Sequence, residues 1–272
     1  MRLSLLLPAL ALASFLSSAA WAQGKADLIL VHGRIKTGES GKVVQALAVQ
    51  GGQIIALGTD REIQALATAG TKVIDLEGRS ATPGLIETGS HISPGGSPLE
   101  IEKAILAHID TLHQRGVTAV RDEGIGQSQW EAYRALLEVH NLPERVCVTW
   151  AIGTTIDSAK TAMDNLASAP KAPASFGDGR LISCGPELSD KGVDPVTYRS
   201  MVKMLAEAGF TERSAKGRSA ASLLFIDGKS GTLQKGKRAD IAVWDKDKCL
   251  MTLLDGEEVY RADQAAPEVS KR

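Results

Sequence analysis

The sequence predicts an α/β protein in which strands from both ends of the chain surround a middle part of alternating strands and helices. Short β-rich runs separated by turns fill residues 26–76. A second β-rich stretch covers residues 231–260. Between them, strand-like and helix-like segments alternate four times, which favours parallel strands joined by right-handed crossovers. We therefore expect one β-domain built from both termini and a separate α/β domain.

Composition and charge exclude several classes of protein. The chain has 272 residues, with 31 Lys and Arg against 32 Asp and Glu. A nucleic-acid binder needs a basic excess on one face, which a formal net charge of −1 does not supply. A hydrophobic content of 43% excludes a wholly disordered chain, and 4% aromatic residues argue against a stacking platform for bases. The sequence is typical of one or two globular domains.

Residues 1–22 are typical of a secretory signal peptide. Arg2 precedes an apolar stretch at residues 3–16, and the small-x-small sequence Ala20-Trp21-Ala22 follows. The apolar stretch is too short to cross about 30 Å of hydrocarbon. We expect cleavage after Ala22 and export to the periplasm or beyond, with no membrane attachment afterwards.

The β-domain is predicted from two separate stretches, residues 23–79 and 227–263. In the first, Gly51-Gly52 separates two β-rich runs and is a hairpin signal, since glycine adopts positive φ without steric cost. In the second, Asp255-Gly256 is a type I′ turn signal between two short strands. Residues 264–272 are interpreted as a frayed tail.

The α/β domain is predicted to span residues 80–226. Each of four buried-type strands precedes a segment with helical character. The predicted strands cover residues 80–86, 117–120, 146–151 and 179–184, and the predicted helices cover residues 98–115, 127–140, 157–167 and 195–208. Such a series favours a parallel sheet, because parallel neighbours need long crossover connections.

The three cysteines are Cys147, Cys184 and Cys249. Their spacing matches no zinc motif, and none lies beside a histidine. We expect all three to be small buried hydrophobic residues. One disulfide with a leftover thiol is the alternative in an exported chain, and the sequence does not assign the pair.

Three stretches of the sequence carry a family resemblance. They are residues 26–35 with 52–58, residues 73–86, which end in Thr82-Pro83-Gly84-Leu85-Ile86, and residues 231–243, which include Gly236-Lys237-Arg238-Ala239-Asp240. In order and spacing they resemble the amidohydrolase superfamily, and most closely its amidohydrolase-3 branch. Residues 116–122 also resemble the second barrel strand of that family. The resemblance covers residues 26–208 and 231–260.

The resemblance implies a (β/α)₈ barrel beside a β-sandwich made from both termini. It also implies one or two divalent ions, typically zinc, at the carboxyl ends of the barrel strands. There the ion lowers the pKa of a bound water, which attacks a C–N or similar bond in a small molecule. The family's ligands are a His-x-His pair on the first strand, a carboxylated Lys or a Glu on the fourth, His on the fifth and sixth, and Asp on the eighth.

The chain departs from this ligand pattern at the first strand. Where relatives have the first histidine of the pair, this chain has Gly89, and His91 matches the second histidine. We predict His91 as a metal ligand, with Glu87 and Glu187 as accompanying carboxylates. The alternative for Glu187 is a surface acid in a turn, because acids are mostly exposed.

Two acids, Asp122 and Glu123, follow the second strand of the α/β part. We predict that Asp122 contacts the substrate. The alternative is a helix-starting acid, which the helix dipole favours. The remaining histidines are interpreted as packed or solvated residues outside the site, and they are His32, His108, His113 and His140.

The length of the α/β part predicts an incomplete barrel. Residues 80–225 number 146, whereas a full barrel takes about 250 residues. The expected fold is an incomplete, about four-unit TIM-like parallel β/α barrel plus a small β-sandwich formed from both termini. The later ligand-bearing strands have no counterpart in the sequence. An open sheet edge favours a homodimer that closes the barrel.

These residues support three hypotheses about function. The first is a metal-dependent hydrolase of C–N bonds in small molecules, with zinc as the expected ion. The second is a non-catalytic exported binding or regulatory protein that binds a small ligand on the same scaffold and needs no metal. The third is a decayed remnant. A G-x-x-x-x-G-K-[ST] phosphate loop and a G-x-S-x-G elbow are both missing from the sequence.

Overall fold

The computed structural model describes residues 25–139, 142–168, 173–188, 192–210 and 218–262. The predicted signal peptide, His140 and the tail at residues 264–272 lie outside the described residues. The described chain combines helices with parallel and antiparallel sheets, so the predicted α/β class is confirmed. None of the helices within these ranges has the length and apolar character that a membrane crossing requires.

Short strands dominate the amino-terminal part. The hairpin turn at Gly51 and Gly52 has φ of +54° and +77°, values that glycine adopts without strain. Thr59 caps the first helix, because its hydroxyl accepts from the Glu62 amide while the Glu62 side chain accepts from the Thr59 amide. The elements are β1 (Leu28–Val31), β2 (Arg34–Lys36), β3 (Val43–Val44), β4 (Ala46–Gln50), β5 (Gln53–Gly58), α1 (Asp60–Gln64), β6 (Lys72–Asp75) and β7 (Ser80–Pro83).

Strands and helices alternate through the middle of the chain. The predicted strand at residues 80–86 is instead two strands in different sheets, with a break at Gly84. A short strand that the sequence did not indicate precedes the last parallel one. The elements are β8 (Leu85–Ser90), α2 (Pro98–Gln114), β9 (Val117–Ile125), α3 (Gln127–Glu138), β10 (Arg145–Ala151), α4 (Ile156–Ser168), β11 (Ala174–Phe176), β12 (Leu181–Glu187), α5 (Pro195–Glu207) and α6 (Ala220–Leu223).

The carboxyl-terminal strands pair with the amino-terminal ones. They are β13 (Ile241–Asp245), β14 (Lys248–Leu254) and β15 (Glu257–Arg261), and they form an antiparallel meander. Strand β13 also pairs with β7, which pairs with β2, so one sheet has the order β15-β14-β13-β7-β2-β3. A second sheet has the order β5-β4-β1-β6. The two ends of the chain therefore share a sheet.

These two sheets pack together through buried aliphatic side chains. Leu30 and Leu47 from the smaller sheet and Leu253 from the larger one are fully buried in a common cluster. Inward-facing residues alternate with outward-facing ones along strands of this kind, so each sheet contributes one apolar face. The apolar contact between the sheets holds both ends of the chain in place.

A third sheet carries the parallel strands. Its order is β11-β12-β10-β9-β8, with β8, β9, β10 and β12 parallel and β11 antiparallel at one edge. Helices cover one face through a core that includes Ile105, Ile109, Val120 and Val146. In the described part of the chain this sheet stays open and does not close into a barrel.

The other face of the parallel sheet is covered at the amino ends of its strands. Leu223, Leu224 and Ile226, in and just after α6, pack there against Ala119 and Ile182. The carboxyl-end half of this face carries polar and charged side chains. The open sheet therefore has an apolar half and a polar half on the face that helices α2 to α5 leave free.

The same face holds a disulfide between Cys147 and Cys184. The two residues lie on the adjacent strands β10 and β12, with 5.7 Å between their Cα atoms, a spacing typical of disulfides. The prediction that all three cysteines are buried thiols is therefore wrong for this pair. Cys249 is a free, buried thiol, as the alternative of one disulfide with a leftover thiol requires.

A buried arginine joins the parallel sheet to the sheet shared by the termini. Arg145 begins β10 and is 1% exposed. Its Nη2 atom lies 2.5 Å from Asp240 Oδ1 and 2.7 Å from Asp255 Oδ1. Asp240 directly precedes β13, and Asp255 occupies the turn between β14 and β15. The ion pairs fix the relative position of the two sheets.

Candidate functional site

The candidate site lies at the carboxyl ends of the parallel strands. In open parallel sheets these ends meet at one edge, where ligands bind. Four side chains come together there from β9, β10 and β12, and we call them the strand-end cluster. They are Arg121, Glu123, Thr149 and Glu187.

Arg121 is at the centre of the cluster. Its Nη1 atom lies 3.5 Å from Glu123 Oε1, and its Nη2 atom lies 3.5 Å from Glu187 Oε2. The side chains of all three residues are between 20% and 26% exposed. One guanidinium therefore bridges two carboxylates at the mouth of the open sheet.

The remaining contacts hold both acids in place. The Thr149 hydroxyl donates to Glu187 Oε2 and accepts from the Gly124 amide at 3.2 Å. Burial raises the pKa of the Glu123 carboxyl, the nearby Glu187 carboxylate raises it further, and the Arg121 charge offsets part of the rise. Glu123 is thus easier to protonate than an exposed glutamate.

His91 lies next to the cluster and is exposed. Its Nδ1 atom is 2.9 Å from the backbone carbonyl oxygen of Glu123. A carbonyl oxygen only accepts, so Nδ1 donates this hydrogen bond, and in the tautomer with the proton on Nδ1 the Nε2 atom is an acceptor. Of the predicted ligands, Glu187 contacts Arg121, and His91 contacts the backbone of Glu123.

Glu87 is engaged elsewhere. Its Oε1 atom accepts from the Ser90 hydroxyl at 2.5 Å, and its Oε2 atom lies 3.0 Å from Arg115 Nη2. Arg115 follows the last residue of α2. Both carboxylate oxygens are therefore occupied by partners outside the strand-end cluster.

Asp122 faces the helical side of the sheet. Successive side chains of a strand point to opposite faces, so Asp122 lies opposite Arg121 and Glu123. It is 1% exposed and accepts from Tyr133 Oη at 2.8 Å, the Ile92 amide at 2.9 Å and the Ser93 hydroxyl. Burial raises the pKa of its carboxyl, and the three hydrogen bonds oppose that rise. Asp122 fastens the segment after β8 to α3, away from the strand-end cluster.

The donor set does not fit a zinc-type ion. A catalytic zinc site uses about three protein ligands of the His, Cys, Asp and Glu types. No group of three such side chains with metal-binding geometry occurs within the described ranges. The single positive charge of Arg121 already pairs with both carboxylates that lie together, and Gly89 contributes no side chain where the pattern of the resembled family has a histidine.

Sequence reasoning missed Arg121 and Thr149. The alternation of side chains along β9 could have indicated Arg121, because Arg121 and Glu123 lie on one face of the strand and Asp122 lies on the other. Thr149 occupies the same face of β10 as Cys147 by the same rule. A contact between Arg121 and Glu187 crosses two strands, and no local pattern in the sequence indicates it.

Comparison with known proteins gives matches over parts of the chain. No family model matches it. The chain is 31% identical to N-substituted formamide deformylase of Arthrobacter pascens over 68 residues. This aligned region covers 25% of this chain and 12% of that protein. It is also 26% identical to adenine deaminase of Ruegeria sp. over 208 residues. This aligned region covers 70% of this chain and 31% of that protein. The matched regions thus span less than a third of these relatives' length.

Solved structures share the fold at low sequence identity. Atrazine chlorohydrolase TrzN from Arthrobacter aurescens TC1, solved with zinc, has a TM-score of 0.61 at 13% identity over 86% of this chain and 95% of that one. Guanine deaminase of E. coli has a TM-score of 0.59 at 12% identity over 86% of this chain and 97% of that one. The protein has an α/β fold with a polar site at the carboxyl ends of parallel strands. The curated matches point to the amidohydrolase superfamily, as the sequence resemblance predicted, and the solved structures show a shared fold.

Proposed function

We propose that the protein binds a small molecule with a C–N bond at the strand-end cluster, and that it does so on an amidohydrolase scaffold without a zinc-type ion. The observation that carries the proposal is the position of the Arg121 guanidinium between the carboxylates of Glu123 and Glu187. A cation of the protein already lies between the two carboxylates, and its positive charge repels a divalent ion at this place. We thus propose a ligand of the same chemical class as the compounds in the relatives' names, but without a metal-dependent reaction.

The cluster offers complementary groups for an amide or amidine. Arg121 supplies N–H donors for a carbonyl oxygen, and Glu187 Oε1 and His91 Nε2 supply acceptors for N–H groups. The raised pKa of Glu123 lets this residue act as a donor when it is protonated. Small molecules that carry both a donor and an acceptor on one carbon atom therefore match the site. An N-substituted formamide and adenine, which the names of two relatives suggest, are suitable probes.

The site sits on what we propose is the first half of a TIM-like barrel. Four parallel strands with intervening helices support this interpretation, as do structural neighbours of barrel architecture. Leu223, Leu224 and Ile226 pack where the opposite wall of a barrel would face the sheet. On this proposal the chain has lost the later barrel units, while both termini retain the β-sandwich of residues 23–79 and 227–263.

Metal-dependent hydrolysis of a C–N bond is the second candidate function. The curated relatives favour it, because their names describe deformylation and deamination. Glu187 and His91 would be the residues to hold an ion, which would supply an activated water. The Arg121 contact to Glu187 disfavours this candidate.

Binding and turnover, measured on the same samples, separate the two candidates. We expect calorimetry to show that an N-substituted formamide binds the wild-type protein. Binding to Arg121→Gln should be about tenfold weaker, because a charge-assisted hydrogen bond is lost. We expect no turnover of the compound after zinc is added. Arg79→Gln is the matched control, since Arg79 pairs with Glu77 on the surface. Zinc-dependent turnover that His91→Ala abolishes would establish the hydrolase instead.

Export to an oxidising compartment is also a proposal. The amino-terminal motif supports it, and so does the disulfide between Cys147 and Cys184, because disulfides persist outside the reducing cytosol. Cell fractionation with mass determination of the mature chain tests it. We expect a periplasmic or secreted chain that begins at Gln23, and a cytosolic chain that begins at Met1 would contradict the proposal.

A further inference from the structure

A small cavity lies at the amino ends of the parallel strands, at the opposite end of the sheet from the strand-end cluster. Its volume is about 220 Å³, below the roughly 300–1,000 Å³ of pockets for drug-sized ligands. Arg145 at the start of β10 and Arg238 just before β13 form part of its wall. We call it the basic cavity. Its size suits an ion or the end of a larger molecule.

The ionisable groups that line the basic cavity, within the described residues, are all bases. They are Arg145, Lys229 and Arg238. Arg145 is 1% exposed, and the side chain of Arg238 is 16% exposed. Lys229 is exposed at the rim. Positive charge therefore extends from the floor of the cavity to its mouth.

The acids behind the wall do not balance these bases. Asp255 alone pairs with three guanidinium groups, at 2.7 Å from Arg145, 3.1 Å from Arg180 and 3.0 Å from Arg238. Asp240 pairs with Arg145 at 2.5 Å. Three arginines thus share two aspartates, and an uncompensated positive charge remains in a partly enclosed site, where it attracts anions.

Glu144 is the other acid close to this network. Its Oε1 atom accepts from the Arg145 amide at 2.7 Å, and the residue is fully buried. Burial raises the pKa of its carboxyl, which disfavours the charged form. The other oxygen of Glu144, Oε2, lies 3.4 Å from His113 Nε2, and Glu144 does not line the basic cavity.

Two hydrogen-bond donors at the rim are free for a ligand. The Lys229 ammonium and the Ser175 hydroxyl have no side-chain partner among the described residues, and both residues are exposed and line the cavity. The backbone of Lys229 is held on both sides, since its amide donates to the Ile226 carbonyl and its carbonyl accepts from the Arg238 amide, each at 2.8 Å. The rim is therefore fixed before any ligand arrives.

Phe225 adds an unusual backbone conformation at the same place. It lines the basic cavity and has φ of +60°, a value that bulky residues rarely adopt. Such conformations persist only where the surrounding structure enforces them, and they concentrate at ligand sites. Here the Ile226 amide donates to the Ala221 carbonyl at 2.9 Å and holds the turn.

We propose that the basic cavity is a second binding site that takes a small oxyanion of the phosphate type, either inorganic phosphate or the terminal phosphate of a larger molecule. Lys229 and Ser175 donate to it at the rim, and Arg238 supplies charge in the wall. Arginine, lysine and hydroxyl donors form the strong, charge-assisted contacts that such an anion needs. A bound anion also joins β11, β12 and the segment before β13, so it stabilises the contact between the sheets. The site does not depend on the proposed function.

Inorganic phosphate is the probe for the experiment. We titrate the purified protein with phosphate at constant ionic strength, set with chloride, and follow both binding heat and the melting temperature. We expect saturable binding and a rise in melting temperature, because a ligand that binds the folded state stabilises it. Lys229→Gln should weaken binding about tenfold, and Lys235→Gln, which removes the same charge from an exposed residue outside the cavity, should leave it unchanged.

Two results would overturn the proposal. One is the absence of saturable phosphate binding by the wild-type protein, and the other is an equal response of the two lysine variants, which would mark a non-specific ionic effect. A phosphate monoester in a parallel titration identifies the source of the anion. If the monoester binds as tightly as inorganic phosphate, the natural ligand is a larger phosphorylated molecule. If only inorganic phosphate binds, the natural ligand is the free ion.

Discussion

Arg121 Nη2 lies 3.5 Å from Glu187 Oε2, across two strand boundaries of the parallel sheet. The same guanidinium reaches Glu123 on its own strand. The family resemblance predicts Glu187 as a metal-ligating carboxylate. In this structure Glu187 contacts an arginine, and this contact is the physical basis for proposing a binding function without a zinc-type ion.

The ion pairs of Arg145 predict strong coupling between the sheets. Arg145→Met should lower the free energy of unfolding by about 3–5 kcal/mol, because it leaves Asp240 buried without its main partner. Urea denaturation followed by circular dichroism measures the change. Arg79→Met breaks an exposed pair with Glu77 and should cost under about 1 kcal/mol. Equal effects of the two substitutions would contradict this account.

The disulfide predicts a redox dependence of stability. Cys147→Ser should lower the free energy of unfolding by about 2–4 kcal/mol, because the bridge restricts the unfolded chain over a separation of 37 residues. Cys249→Ser is the control, since Cys249 is a free thiol. Melting curves with and without a reductant test the prediction. A wild-type melting temperature that does not respond to reduction would count against it.

The buried Glu144 predicts a dependence of stability on pH. Its folded-state pKa is raised by burial above 4.5, its ordinary value, so the protonated form favours the folded state. That contribution is fully present below pH 4.5 and is lost as the pH rises through the raised folded-state pKa. Glu144→Gln should therefore gain stability relative to the wild type as the pH increases, while the exposed Glu138→Gln should not. Parallel curves for the wild type and Glu144→Gln between pH 4 and pH 8 would refute the prediction.

Self-association through the edge strand β8 is a further expectation. Strand β11 lies against the outer edge of β12, whereas no described strand covers the outer edge of β8, where Leu85 is 46% exposed. Uncovered edges promote pairing between copies. We expect the mass measured by light scattering to rise with protein concentration. The rise should be smaller for Leu85→Lys than for the control Leu99→Lys, which changes an exposed residue of α2. A monodisperse monomer would exclude this association.

The sequence predicted the fold best where local signals act alone. Gly51-Gly52 predicted the hairpin between β4 and β5, and the helix–strand alternation predicted the parallel sheet. The break at Gly84 was missed because the tight packing at this position comes from a residue distant in the sequence. A Cβ atom at Gly84 would lie 2.1 Å from the Thr118 hydroxyl oxygen, so the chain crosses between two sheets where only glycine fits.

The site was harder to predict than the fold. Motif position selected His91 and Glu187, which lie at the carboxyl ends of the strands, but it also selected Asp122, whose oxygens accept hydrogen bonds from Ser93 and Tyr133 on the other face. The partners of Glu87 and Glu187 are arginines far away in the sequence. The ion pairs that form depend on the order of the strands and on the face of the sheet that each side chain occupies. Both follow from tertiary packing.

The zinc content of the purified wild-type protein tests the central claim most directly. Elemental analysis after dialysis against a defined zinc concentration gives the number of ions per chain, and Arg121→Gln, analysed in parallel, removes the competing cation. We predict far less than one zinc per wild-type chain, because the positive charge of Arg121 lies against both carboxylates of the cluster and repels a divalent cation. One tightly held zinc per wild-type chain, lost in His91→Ala, would contradict the claim.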